Sequence, residues 1–260
     1  MRNALIFYRK EMLEAVRSYK LLWIPVVFII LGMMQPISAY YMPEILRMSG
    51  DVPPGMLELY EMPGAGEVMA KSIGQYGTVG LLVLALSAMN SFAGEREGGA
   101  AELVLARPLT PFAAASAKWL AQLTLLALSL GLGAAFAGYY TIRLIGSLSW
   151  SAVLAASALY GLWLMCAVSL TLLFSACLRA PAAAFLSLAA AAGLALLHSL
   201  LPRPLNWSPA ALPQLSAQAL TQQTAAPAVW IFPVLSGIAL IVLCFLGASL
   251  SFGRNKLPRF

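Results

Sequence analysis

Six apolar runs dominate the chain, at 21–42, 73–93, 112–141, 150–177, 181–201 and 229–252. Each has about the 20 residues an α-helix needs to cross a hydrocarbon layer roughly 30 Å thick. Lipid offers backbone groups no hydrogen bonds, so only a helix or a closed barrel can span it. The barrel fails on pattern. Its strands alternate apolar with polar residues and favour β-branched side chains, whereas these runs are continuous and rich in alanine and leucine. The expected fold is therefore all-α, a polytopic membrane protein of six transmembrane helices forming a single transmembrane domain over 1–260. Of its 260 residues 10% are charged, against roughly 25% in an ordinary soluble domain. Little room is left for a soluble catalytic domain.

Cysteine and charge usage narrow the chemistry further. Cys166, Cys177 and Cys244 all fall within the apolar runs, so neither a disulfide nor a metal site is expected. The net charge of +6 would suggest nucleic acid for a soluble protein. In a membrane protein the position of the charges matters more than their sum, and no nucleic-acid partner is expected. With an N-terminus in the cytoplasm, that side holds Arg2, Arg9, Lys10, Arg17, Lys20, Arg96, Arg107, Lys118, Arg179, Arg254, Lys256 and Arg259. The outside holds Arg47, Lys71, Arg143 and Arg203. This bias predicts both termini inside. The first run is too long for the 7 to 15 residues of a signal peptide's apolar core, so it reads as a retained span.

Residues 1–20, ahead of the first span, read as an interfacial helix. At 100° per residue Leu5, Tyr8, Met12, Ala15, Val16 and Tyr19 gather on one arc, while Lys10, Glu11, Glu14, Arg17 and Ser18 lie elsewhere. Such a helix lies in the headgroup plane with the lipid bilayer as its partner; the alternative is a positive flank that only fixes topology.

The connections are unequal. Outside, residues 43–72 form a proline-punctuated acidic cap, and 202–228 a second segment in which Ser208 before Pro209 reads as a helix N-cap. Leu212, Leu215 and Leu220 suggest short helices dipping back toward the membrane over a pathway, with a plain surface loop as the alternative. On the cytoplasmic side 94–111 is bounded by Gly98 and Gly99, by Pro108, and by Thr110 before Pro111. A short charged helix between those breaks suits docking of a partner, and taken alone it could equally be a solvated turn.

The run from Glu95 to Lys118, EREGGAAELVLARPLTPFAAASAK, resembles the signature of permease subunits of ABC-2 type ATP-binding cassette transporters. Glu95, Arg96, Glu97, Gly99, Glu102, Leu103, Pro108, Thr110 and Lys118 match as they stand; Ala100 and Ala117 depart from it without removing a charge. The resemblance implies a membrane subunit of an exporter in a bacterial cell membrane. It implies two permease chains, as homodimer or heterodimer, with two copies of an ABC ATPase subunit docked on their cytoplasmic loops. Glu95, Arg96, Glu97, Gly99, Glu102, Arg107 and Pro108 would then couple to the ATPase. The chain itself has no phosphate loop, since none of Lys10, Lys20, Lys71, Lys118 and Lys256 follows a glycine. ATP and Mg are thus expected on the partner, with no cofactor and no catalytic residue here.

Polar side chains within the runs are candidates for the translocation pathway, because they are costly in lipid and should face protein or water. They are Gln35, Ser38, Asn90, Ser187 and His198. In the resembling family spans one and five line the dimer interface and the substrate route, and the alanine-rich fifth run permits close helix approach. His198 has the alternative of bonding an interfacial carbonyl. No charge is expected inside a span, which fits an amphipathic or apolar cargo better than a bare ion. Two other classes were weighed. An intramembrane protease would pair Ser249 with His198, but the two stand at different depths and lack a nucleophile motif. A passive channel or scaffold shows no charged ring or filter sequence.

Overall fold

The computed structural model describes residues 2–49, 62–98, 111–221 and 230–254. The elements in order are α1 (Arg2–Arg17), α2 (Lys20–Ser49) and α3 (Ala65–Gln75), then a π-helical turn (Tyr76–Gly80). Next come α4 (Leu81–Ala88), α5 (Asn90–Glu97), α6 (Pro111–Leu144), α7 (Trp150–Cys177) and α8 (Ala180–Leu200). A 3-10 turn (Pro209–Ala211), α9 (Leu212–Thr221) and α10 (Ile231–Arg254) complete the chain. There is no strand among the described residues. Six stretches are long and apolar enough to span: α2, the composite Ala65–Glu97, α6, α7, α8 and α10. The protein is a multi-pass, all-α membrane protein.

Several helices outrun the apolar runs that announce them. Despite Pro43, α2 continues past 42 to Ser49, and α3 opens at Ala65, so the connection between them is shorter than 43–72. Span two continues past 93 to Glu97, where Gly98 caps it. Hydropathy ends where charge begins, but helical hydrogen bonding does not.

The corner between α1 and α2 is made by Tyr19, which adopts φ 56° in the left-handed region. A side chain there is strained by its Cβ, and the reversal lets α1 fold back onto the N-terminal half of α6. Phe7 is buried in that contact, and Tyr8 Oη lies 3.0 Å from Thr124 Oγ1. The inward face of α1 therefore includes Phe7 and Glu11, while Leu5, Val16 and Tyr19 of the expected apolar arc are exposed.

At the centre α2 lies along α6. Gly32 and Gly133 face each other so closely that a Cβ on Gly32 would stand 2.6 Å from the Gly133 carbonyl oxygen. Small residues at such crossings let backbones approach. Tyr76 fills the adjoining space, stacking on Phe28 with ring centroids 4.8 Å apart and donating to the Phe28 carbonyl at 3.1 Å. α7 is the most enclosed span, and α8 and α10 are the least.

The end of the bundle away from α1 is closed by α9, wedged between α3 and α7. Its Leu212, Leu215 and Leu220 are buried, and Ser216 Oγ donates to the Ala156 carbonyl at 2.8 Å. Ser208 takes the N-cap position of the 3-10 turn, with Pro209 following, but its hydroxyl makes no capping bond.

Candidate functional site

Where α1, α5, the start of α6 and the end of α7 meet, four charged side chains form one cluster. Lys118 stands seven residues on from Pro111 in α6, about 10 Å along the helix, and is 2% exposed. Its Nζ lies 2.9 Å from Glu11 Oε1 of α1 and 3.0 Å from Glu95 Oε1 of α5. Lys10 reaches the same Glu95 oxygen at 2.7 Å and lies 3.6 Å from Glu11. Two ammoniums and two carboxylates thus balance locally. The ring of Phe92 adds a cation–π face 5.4 Å from Lys118 Nζ. Burial alone would lower the Lys10 ammonium. The Glu95 hydrogen bond and the carboxylates of Glu95, Glu11 and Glu14 outweigh it and hold the group above its usual range.

The physical logic is mutual dependence. A charge buried this far is costly unless paired, and removing one partner of a buried pair costs more than the pair contributes. The quartet consequently ties three chain segments together. The expectation that no charge lies inside a span is overturned here, because Lys118 and Glu95 are enclosed by helices that supply each other's counter-charge.

Arg96, one residue on, points to α7 instead. Its Nη1 donates to the Ala176 carbonyl at 3.1 Å and its Nη2 to the Leu178 carbonyl. These are orphan carbonyls of the α7 C-terminus, where cations are favoured. Glu97 is exposed at the tip of α5. Of the expected coupling residues, Glu95 and Arg96 are therefore turned inward and Glu97 outward, while Gly99, Glu102, Arg107 and Pro108 lie outside the described residues.

The expected pathway residues do not share one surface. Gln35 is half-buried and Ser38 exposed on the C-terminal half of α2. Asn90, with Glu11, Glu14, Lys20 and Gln122, lines a polar cavity of about 40 Å³ beside the quartet. Ser187 is buried, accepting from Thr171 Oγ1 at 2.9 Å. His198 Nε2 lies 3.2 Å from Gln214 Oε1, the side-chain amide oxygen on α9, and Ser249 bonds its own helix at the Leu246 carbonyl. Sequence reasoning placed Lys10 and Glu11 on a solvated flank and left their role in the cluster unseen. The available signal was Lys118: a lysine two turns into an apolar helix calls for a carboxylate.

Comparison with known proteins places this geometry in context. The family model described as "ABC-2 family transporter protein" matches residues 5–257. The chain is also similar to the "Uncharacterized transmembrane protein YxlG" of Bacillus subtilis (strain 168). They are 36% identical over 213 residues, which cover 81% of this chain and 82% of that protein.

Proposed function

Because the chain belongs to the ABC-2 family of transporter membrane proteins, we propose that it is the permease subunit of an ATP-driven exporter. The family is a membrane component and not itself catalytic. Hydrolysis of ATP with its Mg is assigned to a separate ABC ATPase, two copies of which dock on a pair of permease chains. The pairing is with a second copy or a related permease, and the exposed face of α8 with Phe185, Leu196 and Leu200 is a surface it could cover. The subunit sits in a bacterial plasma membrane with both termini cytoplasmic. The cargo is amphipathic or apolar, and Gln35, Ser38, Asn90, Ser187 and His198 are proposed to meet it.

The observation that carries this reading is the quartet. It binds α5, the helix leading into segment 94–111, to α1 and α6 by directional bonds that can be made and broken. A docked ATPase moving that segment would pull on the whole junction. Coupling between sites requires such differential contacts in two states.

The direct test compares Glu102→Lys in the cytoplasmic segment with Glu58→Lys in the outer connection. Losing one partner of a buried interfacial charge pair costs about 2–5 kcal/mol, whereas an exposed charge is worth under about 1 kcal/mol. Glu102→Lys is expected to insert normally yet lose ATPase co-purification more than about tenfold, with Glu58→Lys unaffected. Equal, near-normal behaviour of both would refute the coupling role. Topology is checked separately: cysteines at Ser49 or Thr221 should react with an impermeant thiol reagent outside intact cells, and one at Ala101 should not.

A further inference from the structure

Serine and threonine hydroxyls in this bundle mostly turn back on their own helix. Those of Ser72, Ser129 and Thr141 each donate to the carbonyl four residues earlier, the ordinary way of satisfying such a group. Ser175, near the end of α7, reaches across instead. Its Oγ accepts from the backbone N–H groups of Phe92 and Ala93, both at 3.1 Å, and donates to the Met89 carbonyl at 2.6 Å. The helical pattern of span two is interrupted at Met89, between α4 and α5. One hydroxyl, fully shielded from solvent, therefore bonds the Met89 carbonyl and two N–H groups of α5 just after it.

A second tie lies at the other end of α5, where Arg96 holds the Ala176 and Leu178 carbonyls. The α7 chain then needs only Leu178 and Arg179, both extended, before α8 starts at Ala180. We propose that Ser175 is a positioning residue which, with Arg96, fixes α5 to the last turn of α7, so that displacement of α5 is delivered to α8 through the Leu178–Arg179 corner. The inference rests on the permease reading and specifies its route: the helix that receives the motion is α8, whose far face is exposed. Ser175 touches no cargo; it acts by keeping α5 and the corner in register.

The test uses the permease purified with its co-purifying ATPase, with the exposed Cys177 replaced by serine. Spin-label pairs Glu97/Leu120 and Phe185/Leu120 report α5 and α8 against α6, without nucleotide and in the ATP-trapped state. In the parent complex nucleotide should shift both pairs. With Ser175→Ala the Glu97 pair should still shift, while the two-state ratio at the Phe185 pair falls roughly two- to thirtyfold, the usual range for a coupling position. Ser175→Thr should restore it, whereas Ser175→Cys, which fills the space with a far weaker hydrogen-bonding group, should not. Arg96→Gln should give the same selective loss, and it decides the matter if Ser175→Ala does not fold. An unchanged Phe185 shift in these variants, or equal loss at both pairs, would overturn the proposal. Absence of a co-purifying ATPase, or a parent complex in which neither pair responds, would refute the permease reading and this route with it.

Discussion

The two ends of the bundle are held by different kinds of contact. At the end shared by α1, α5, α6 and α7, few and directional bonds do the holding: the Lys10, Glu11, Glu95 and Lys118 quartet, the Arg96 clasp and the Ser175 hydroxyl. At the opposite end α9 is wedged between α3 and α7 by close packing. A Cβ on Gly66 would collide with the Leu220 carbonyl, and one on Gly77 with the Tyr160 hydroxyl. Packed surfaces tolerate little displacement, whereas ion pairs and hydrogen bonds can exchange partners. Under the proposed function the end held by directional bonds is the one that moves and the packed end the one that stays.

The largest expected effect breaks the mobile end. Lys118→Met leaves the Glu11 and Glu95 carboxylates without their buried counter-charge, and the loss of stability should be about 3–5 kcal/mol, read by thermal unfolding in detergent. Lys10→Met removes an ammonium whose side chain is 45% exposed and should cost under about 1 kcal/mol. Replacing all four groups by neutral side chains of similar size should recover most of the stability while abolishing nucleotide-dependent movement of α5. Recovery of both would mean that the quartet is structural cement only.

The rigid end is probed next. Gly66→Val overpacks the α3–α9 contact and should cost about 1–3 kcal/mol. Gly131→Ala, where nothing lies within 4 Å of the added Cβ, should be neutral or stabilise by about 0.5–1 kcal/mol. If Gly66→Val unfolds no earlier than the parent, the outer wedge is looser than described and the contrast between the ends collapses.

Why the sequence showed one end better than the other follows from the same physics. The six spans are legible because hydropathy over about 20 residues is a local property. So is the corner at Gly98, where glycine ends α5. The quartet is not local: Glu95 pairs with Lys10 across 85 positions and Lys118 with Glu11 across 107. Glu95 and Arg96 were found through their motif, but the partners of Glu95 required knowing that α1 packs on α6, and those of Arg96 that α5 runs beside the end of α7. Ser175 carried no signal, since a serine in an apolar helix usually bonds its own backbone. The polar pathway candidates scattered for a related reason: Ser187 found Thr171 and His198 found Gln214, so polarity alone did not mark a shared surface.

The smallest effect sharpens the mobile end at its edge. Tyr19, at φ 56°, bears a left-handed penalty of roughly 1–2 kcal/mol, partly offset by the added chain entropy of glycine in the unfolded state. Tyr19→Gly should therefore be neutral or stabilising by under about 1 kcal/mol, and Tyr19→Val distinctly destabilising because a β-branched residue fits that region worst. Equal melting temperatures for the two variants would show that the α1–α2 corner does not fix α1 on α6.

The most direct test of the account asks which end meets the ATPase. A photoreactive amino acid at Glu97, exposed at the tip of α5, is compared with one at Trp207, 59% exposed at the opposite end. Both are irradiated in native membranes, and the adducts are identified by mass spectrometry. The account predicts an adduct between Glu97 and a protein carrying an ATP-binding phosphate loop, and none of that kind from Trp207. An ATPase adduct from Trp207, or none from Glu97 in a transport-competent complex, would contradict it.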